Sequence, residues 1–360
     1  VVNGLRADRR HAVWQPVMIL VIAGVLVNVL VVRHRFFNEW HTNPRVHAAY
    51  HTQTANIAAY LDSTPDGLPV SYCTARLNIV GPSGLTPRES LDAMMHRESL
   101  EMRHSDCRGG LVLINAGAPM RFVFGSEHDR QSMPPELTAW LSDAEPVPVD
   151  GVPDGTVVII DVEQRLRDSG GQWSALSPVY FMPDETSVSE RAQLPIPLGD
   201  NLTFAGYDPR ALARPHESGG PPIVLVTYWR VDGDIPDDLG IFAHLLAYPD
   251  NESNGAARIP LIEPWAEANS IDVLPGELEP RDFFIQVSYL WLAKNLRPAE
   301  YALTVGAYTD TVTVLENHLP VLDITRDYEP HGDRVLLGNV TIQQEPVELL
   351  GSEQPDQPDS

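Results

Sequence analysis

The sequence predicts an α+β multidomain protein: one N-terminal transmembrane helix, a small α/β domain, then an antiparallel, jelly-roll-like β-sandwich. Three observations predict it. An uncharged apolar run, WQPVMILVIAGVLVNVLVV, occupies positions 14–32, and at ~1.5 Å of rise per residue it crosses a hydrocarbon core ~30 Å thick. Strand-like and helix-like runs then alternate as far as position 168, the pattern of an α/β layer domain. Beyond 190 the runs are all strand-like and are separated by Pro, Gly, Asn and Asp clusters, the pattern of a sandwich.

Residues 1–13 read as a cytoplasmic segment and 14–35 as the span. The apolar run exceeds the ~7–15 residues of a cleavable signal and continues into Arg33-His34-Arg35-Phe36-Phe37. An anchor is therefore expected. Arg6, Arg9 and Arg10 precede the span while Arg33 and Arg35 follow it, a slight bias toward a cytoplasmic N-terminus and an extracytoplasmic bulk at the cell membrane. Trp14 on one side and Phe36, Phe37 and Trp40 on the other suit the two interfacial belts. Asn28 lies within the run, where a polar side chain suits a contact with another helix. The sequence begins with Val, and two readings of the span stay open: a lone anchor, or the last helix of a larger membrane domain.

Residues 36–168 form the expected α/β domain. Val46, Ala49, Tyr50, Ile57, Tyr60 and Leu61 recur at helical spacing, so a helix is expected over 46–61, ended by Pro65-Asp66-Gly67. Strands are expected at 70–77, 99–104, 110–115, 120–124 and 156–161. Helices are expected at 86–96, with Thr86 as cap and Pro87 first, and at 134–141, opened by Pro134-Pro135. Residues 169–190 are rich in Ser, Gly, Pro and charge and read as a linker. The sandwich spans 191–345, with strands at 202–207, 223–231, 240–248, 283–290, 301–308 and 335–342. The polar tail 346–360 reads as disordered.

Charge narrows the partners. The first 45 residues carry six arginines against Asp8 and Glu39, so the remainder holds more than the whole net charge of -24. Such a surface repels phosphate backbones, which argues against nucleic acid as a partner. It keeps the chain soluble and attracts divalent cations. Lys294 is the sole lysine, which reads as coding bias. Cys73 and Cys107 are the two cysteines. Outside the cytoplasm they can form a disulfide closing a loop of about 35 residues, worth ~3–4 kcal/mol; two buried thiols are the other reading.

No motif in the chain identifies a reaction, and no catalytic residue or cofactor site is assigned. His47 and His51 stand four apart with His41 upstream, a spacing for two imidazoles on one metal. Ala48 replaces the Glu of H-E-x-x-H and no third ligand is evident, so membrane-proximal surface histidines are the favoured reading. Asp232, Asp234, Asp237 and Asp238 alternate around Gly233 and can supply calcium with oxygens. Pro236 and the missing twelfth-position Glu break the EF-hand register, leaving a solvated turn as the other reading. The turn at 250–255 is similar. Asn201, Asn251 and Asn339 head glycosylation sequons. The aromatics Tyr228, Trp229, Phe242, Tyr289, Trp291, Tyr301 and Tyr308 either fill the sandwich or stack on sugar rings.

Several stretches share one likeness: Arg45-Val-His-Ala-Ala-Tyr50, Ile57-Ala-Ala-Tyr-Leu61, Ser105-Asp-Cys-Arg108, Leu111-Val-Leu113, Leu198-Gly-Asp-Asn-Leu-Thr-Phe-Ala-Gly-Tyr207, Tyr228-Trp-Arg230, Ile241-Phe-Ala-His-Leu245, Leu274-Pro-Gly-Glu277 and Tyr301-Ala-Leu-Thr-Val-Gly-Ala-Tyr308. With their order behind a membrane helix, they resemble the extracytoplasmic C-terminal region of bacterial membrane glycosyltransferases similar to dolichyl-phosphate-mannose protein mannosyltransferases. The resemblance implies a polyprenyl-phosphate-sugar context. It transfers no catalytic residue, because that family's catalytic acids lie in a multi-helix domain that this chain does not include. Three functions are therefore expected in order: an extracytoplasmic binding or accessory module for glycan or a partner membrane protein, the C-terminal part of a glycosyltransferase, or a structural subunit of a membrane complex.

Overall fold

The computed structural model describes residues 4–35, 52–81, 84–97, 99–175, 179–181, 191–208, 223–248, 264–292, 299–309, 325–326, 329–330 and 334–342. Their side chains are described from Val17 onward, except 173–175, 264–265, 325–326, 329–330 and 342. In chain order the elements are α1 (Gly4–His34), α2 (Thr52–Ser63), β1 (Val70–Cys73), α3 (Pro87–Met94), β2 (Met102–Ser105), β3 (Gly110–Leu113), β4 (Met120–Phe124), α4 (Glu127–Ser132), α5 (Pro135–Thr138), β5 (Glu145–Pro146), β6 (Val157–Ile160) and α6 (Glu163–Ala175). There follow β7 (Val179–Phe181), β8 (Arg191–Ala192), β9 (Ile196–Leu198), β10 (Leu202–Tyr207), β11 (Ile223–Val231), β12 (Leu239–Ala247), β13 (Pro264–Asn269), β14 (Phe283–Leu290), β15 (Ala299–Thr309), β16 (Thr325–Arg326), β17 (Glu329–Pro330) and β18 (Val335–Ile342). The architecture is a largely β α+β fold with one apolar N-terminal helix.

The chain divides into two compact units, Val1–Ser63 with Asn78–His96 and Asp150–Val152, and the rest. In the first unit, α1 is long and apolar enough over Val17–His34 to cross a membrane, and every side chain over 17–35 is exposed. A helix apolar all round needs an apolar surrounding to cover it. The helix α2 buries Thr54, Ile57, Ala58 and Leu61, the i, i+3, i+4, i+7 stripe of an amphipathic helix. Against it packs α3, which begins in a capping box between Thr86 and Glu89 with Pro87 in its first turn. The Asp62 carboxylate accepts the His96 N–H at 3.0 Å.

The second unit holds three main sheets. A mixed sheet runs β2-β1-β4-β6-β5, with β1 parallel to β2 and β4 and β6 antiparallel to β4 and β5. A second sheet runs β3-β14-β11-β10-β9 and a third β13-β12-β15-β18-β7-β8. These two are antiparallel throughout, and residues of both line one continuous core that also takes in the mixed sheet. Trp229, fully buried, lies 5.1 Å from the Phe204 ring and 6.2 Å from that of Phe284. Its indole N–H donates to Thr227 Oγ1 at 2.8 Å, which satisfies the one polar atom a buried Trp carries.

Two expected boundaries differ in the structure. The segment 110–113 lies inside the expected α/β domain, yet it completes the edge of the second sheet, with Phe283 opposite Leu113 and Gln286 opposite Gly110. All four residues are buried, and β14 pairs along one edge of the strand. Cys73 and residues from Cys107 to Leu166 of the expected domain 36–168 therefore share a core with residues of the expected domain 191–345. The segment 169–190 is also more than a linker where described. The helix α6 continues through Gly170 and Gly171 to Ala175, held by Leu166 in the core and by Arg167–Glu163 at 2.7 Å; such packing overrides glycine's weak propensity cost. Beyond it, β7 pairs with β18 in the third sheet. Residues 346–360 lie outside the described part.

Candidate functional site

A cleft of about 460 Å³ is lined by Arg108, Gly109, Glu267, Ala268, Ser270, Asp272, Val287, Tyr289 and Trp291. Three separate segments build it. The first is the turn after β2, where Asp106 accepts N–H bonds from Gly109 at 3.1 Å and Gly110 at 2.8 Å. Its carboxylate grips the Arg108 guanidinium twice, Nε to Oδ1 at 3.0 Å and Nη2 to Oδ2 at 2.6 Å. Arg108 stays 57% exposed: its base is fixed and its outer edge is available to a ligand. The two glycines are required by close approach. A Cβ on Gly109 would meet Asp272 Oδ2 at 2.0 Å, and one on Gly110 would meet the Asp272 carbonyl at 2.3 Å.

The second segment is β13 with the residues that follow. Glu267 is oriented by Asn269, whose Nδ2 donates to Oε2 at 3.0 Å, and Asn269 Oδ1 in turn lies 2.9 Å from His244 Nε2. The His244 ring stacks on Phe242 at 4.6 Å. Asp272 is locked by its backbone and its side chain together. Its carbonyl accepts the Asp106 N–H at 2.7 Å, and its own N–H donates to Gln286 Oε1 at 2.9 Å. Gln286 Nε2 donates to Asp272 Oδ2 at 2.7 Å. Burial raises the Asp272 carboxyl above its ordinary range, opposed by the Gln286 hydrogen bond and reinforced by the Asp106 charge.

The third segment is the end of β14. Tyr289 donates its hydroxyl to the Arg108 carbonyl at 3.3 Å, and burial pushes its phenol up to about 12. Two residues on, Trp291 is 64% exposed and is the exposed large aromatic among the described side chains. An indole face in water beside carboxylates, a guanidinium and hydroxyls combines an apolar platform with hydrogen-bonding groups on both sides.

The residues singled out from sequence fall as follows. Cys73 and Cys107 are joined by a disulfide and are fully buried. The four aspartates of the β11–β12 turn are not gathered. Asp232 is held by Arg230 at 2.6 Å and by the Thr203 hydroxyl, Asp234 and Asp237 are exposed, and Asp238 is half-buried. Among the described residues no group of three or more His, Cys, Asp or Glu is arranged to hold a metal ion. Their turn is fixed instead by the Asp232 and Gly233 N–H groups on the Asn201 carbonyl, at 2.8 and 3.2 Å. His41, His47, His51, Asn251 and the turn at 250–255 lie outside the described residues. Asn339 is engaged by the Tyr248 hydroxyl at 2.6 Å and by Glu300 at 2.9 Å. Of the seven aromatics, Tyr228, Trp229, Phe242 and Tyr301 are buried, Tyr289 and Tyr308 are half-buried, and Trp291 alone stands out.

Sequence reasoning missed Arg108, Glu267 and Asp272 as neighbours. The one local signal was the Gly109-Gly110 pair, which marks a close backbone approach without saying to what. No family model matches the chain, and no curated protein matches it.

Proposed function

We propose that this chain is a membrane-anchored, extracytoplasmic binding module that holds a glycan in the cleft beneath Trp291. The observation that carries the reading is the exposed indole, 64% open to solvent at the rim of a polar cleft. A pyranose ring offers C–H groups to such a face and hydroxyls to Glu267, Asp272, Arg108 and Ser270. The anchoring is supported by α1, and the extracytoplasmic placement by the Cys73–Cys107 disulfide, since such bonds persist in oxidising compartments. The two antiparallel sheets are taken as jelly-roll-like, a frame that commonly presents ligands at sheet edges.

The test is an array of bacterial-envelope oligosaccharides probed with the full chain in detergent and with Trp291→Ala. Binding that is lost in the variant supports the proposal; equal binding by both, or none by the wild type, defeats it. Protease added to intact spheroplasts tests placement, because protection of the sandwich there contradicts an extracytoplasmic bulk.

A second reading makes this chain the C-terminal part of a membrane glycosyltransferase that uses a polyprenyl-phosphate sugar. It rests on the resemblance, whose sandwich portions coincide with β9 to β12, the turn at 274–277 and β15. A run of further hydrophobic spans encoded upstream of Val1 would favour it, and a start codon there would count against it.

A further inference from the structure

We propose that the saccharide taken by the Trp291 cleft carries a free amino group, held as an ammonium ion by Glu267 and Asp272. The inference rests on the glycan reading and narrows it to one class of sugar. What carries it is the charge left over once the pairs inside the protein are matched. Arg108 brings the one guanidinium among the lining residues, and Asp106 neutralises it through two hydrogen bonds at 3.0 and 2.6 Å. Glu267 and Asp272 then stand as two carboxylates that no further cation of the lining balances.

Each of these carboxylates is oriented by a neutral partner and keeps one oxygen open. Asn269 Nδ2 occupies Glu267 Oε2 at 3.0 Å, and Gln286 Nε2 occupies Asp272 Oδ2 at 2.7 Å. Among the described residues nothing donates to Glu267 Oε1 or to Asp272 Oδ1. Side-chain amides fix the direction of a carboxylate without cancelling its charge. An ammonium group supplies three donors and no acceptor, which suits two open carboxylate oxygens. A sugar hydroxyl or acetamido group in the same place brings no charge. A sugar carboxylate would meet two like charges for the one guanidinium edge that Asp106 leaves open. The rim acts in the same direction, since the face of the exposed Trp291 indole attracts cations. A net charge of -24 draws cations to the whole surface, and the experiment separates that general pull from the site.

Three β-linked tetrasaccharides that differ only in the substituent beside the linkage carbon are titrated into the full chain in detergent: oligomers of glucosamine, of N-acetylglucosamine and of glucose. The buffer lies just below neutral pH, where the amine is protonated, and at low ionic strength, where exposed charges are least screened. The glucosamine oligomer is expected to bind about five- to tenfold tighter than either of the others, the yield of one or two partly exposed ion pairs. Glu267→Gln should cut that preference about threefold or more, while Glu145→Gln, on the exposed strand β5, leaves it unchanged. Equal or weaker binding of the glucosamine oligomer, with binding lost in Trp291→Ala, overturns the amino-sugar assignment and leaves the glycan site in place. A preference that survives undiminished in the double variant Glu267→Gln, Asp272→Asn belongs to the acidic surface at large and also overturns the assignment. If none of the three binds the wild type the assignment falls, and the oligosaccharide array decides whether the glycan reading falls with it.

Discussion

Replacing Asp282 tests how the mixed sheet and the second sheet are tied together. Asp282, 1% exposed, accepts Arg103 Nε at 2.6 Å, and Arg103 is itself only 4% exposed. The same carboxylate accepts the Asn115 N–H at 3.1 Å and the Glu279 N–H at 3.0 Å. Arg103 also reaches Glu101 at 3.0 Å and Glu279 at 3.3 Å, both far more exposed. Breaking a buried pair from one side leaves a buried charge uncompensated, at about 3–5 kcal/mol. The two remaining carboxylates soften that loss, while the stranded N–H groups add about 1–3 kcal/mol each where water cannot reach. For Asp282→Ala the net expectation is about 4–5 kcal/mol, and for Asp282→Asn, which keeps one carbonyl acceptor, about 2–3 kcal/mol. Glu279→Ala removes a partner that is 67% exposed and should change stability by under about 1 kcal/mol. Urea unfolding of the detergent-solubilised chain, followed by near-ultraviolet circular dichroism at constant m, separates these. Equal midpoint shifts for Asp282→Ala and Glu279→Ala would refute the reasoning.

Two further predictions concern the same unit. The Cys73–Cys107 bond spans a sequence separation of 34, so the double variant Cys73→Ala, Cys107→Ala should lose about 4 kcal/mol on the chain-entropy estimate; a loss under about 1 kcal/mol would place the stabilisation elsewhere. Asp272 carries a raised carboxyl in the folded state against about 3.9 in an unfolded chain. The folded state then binds more protons in the window above that value, and stability falls as pH rises through it. The difference between wild type and Asp272→Asn, measured by urea midpoints from acid to neutral pH, should move against the wild type as pH increases. Movement in the opposite direction would reverse the assignment.

Much of the frame was legible because apolar runs bounded by turn residues define strands well. The expected strands at 120–124, 202–207, 223–231, 283–290 and 335–342 coincide with β4, β10, β11, β14 and β18. Thr86 and Pro87 announced the start of α3, and the structure adds Glu89 as the other half of the capping box. What failed was non-local. The burial of Gly110 to Leu113 could not reveal that its partner is β14, more than 160 residues later. The sequence PWAEAN of β13 shows little strand character, because its neighbour β12 supplies the pairing, and with it Glu267 went unmarked. Tyr228 and Trp229 are adjacent yet both buried, since Trp140 lies 6.0 Å from the Tyr228 ring and covers the second face of β11. Among the described residues Trp291 has no such cover and stays 64% exposed. That contrast depends on which segments return to each strand end, and it separates a buried aromatic from an exposed one.

The most direct measurement is calorimetric titration of an array-selected oligosaccharide into the wild type and Trp291→Ala. A Trp side chain offers about 150–250 Å², and with 64% of it exposed a sugar ring stacked on one face covers roughly 60–80 Å². At about 25 cal/mol per Å² this is worth ~1.5–2 kcal/mol, or about 10–30-fold in Kd. The expected result is that weakening in Trp291→Ala, with most of the affinity kept in Trp291→Phe. An unchanged Kd in Trp291→Ala would contradict a glycan site at this cleft.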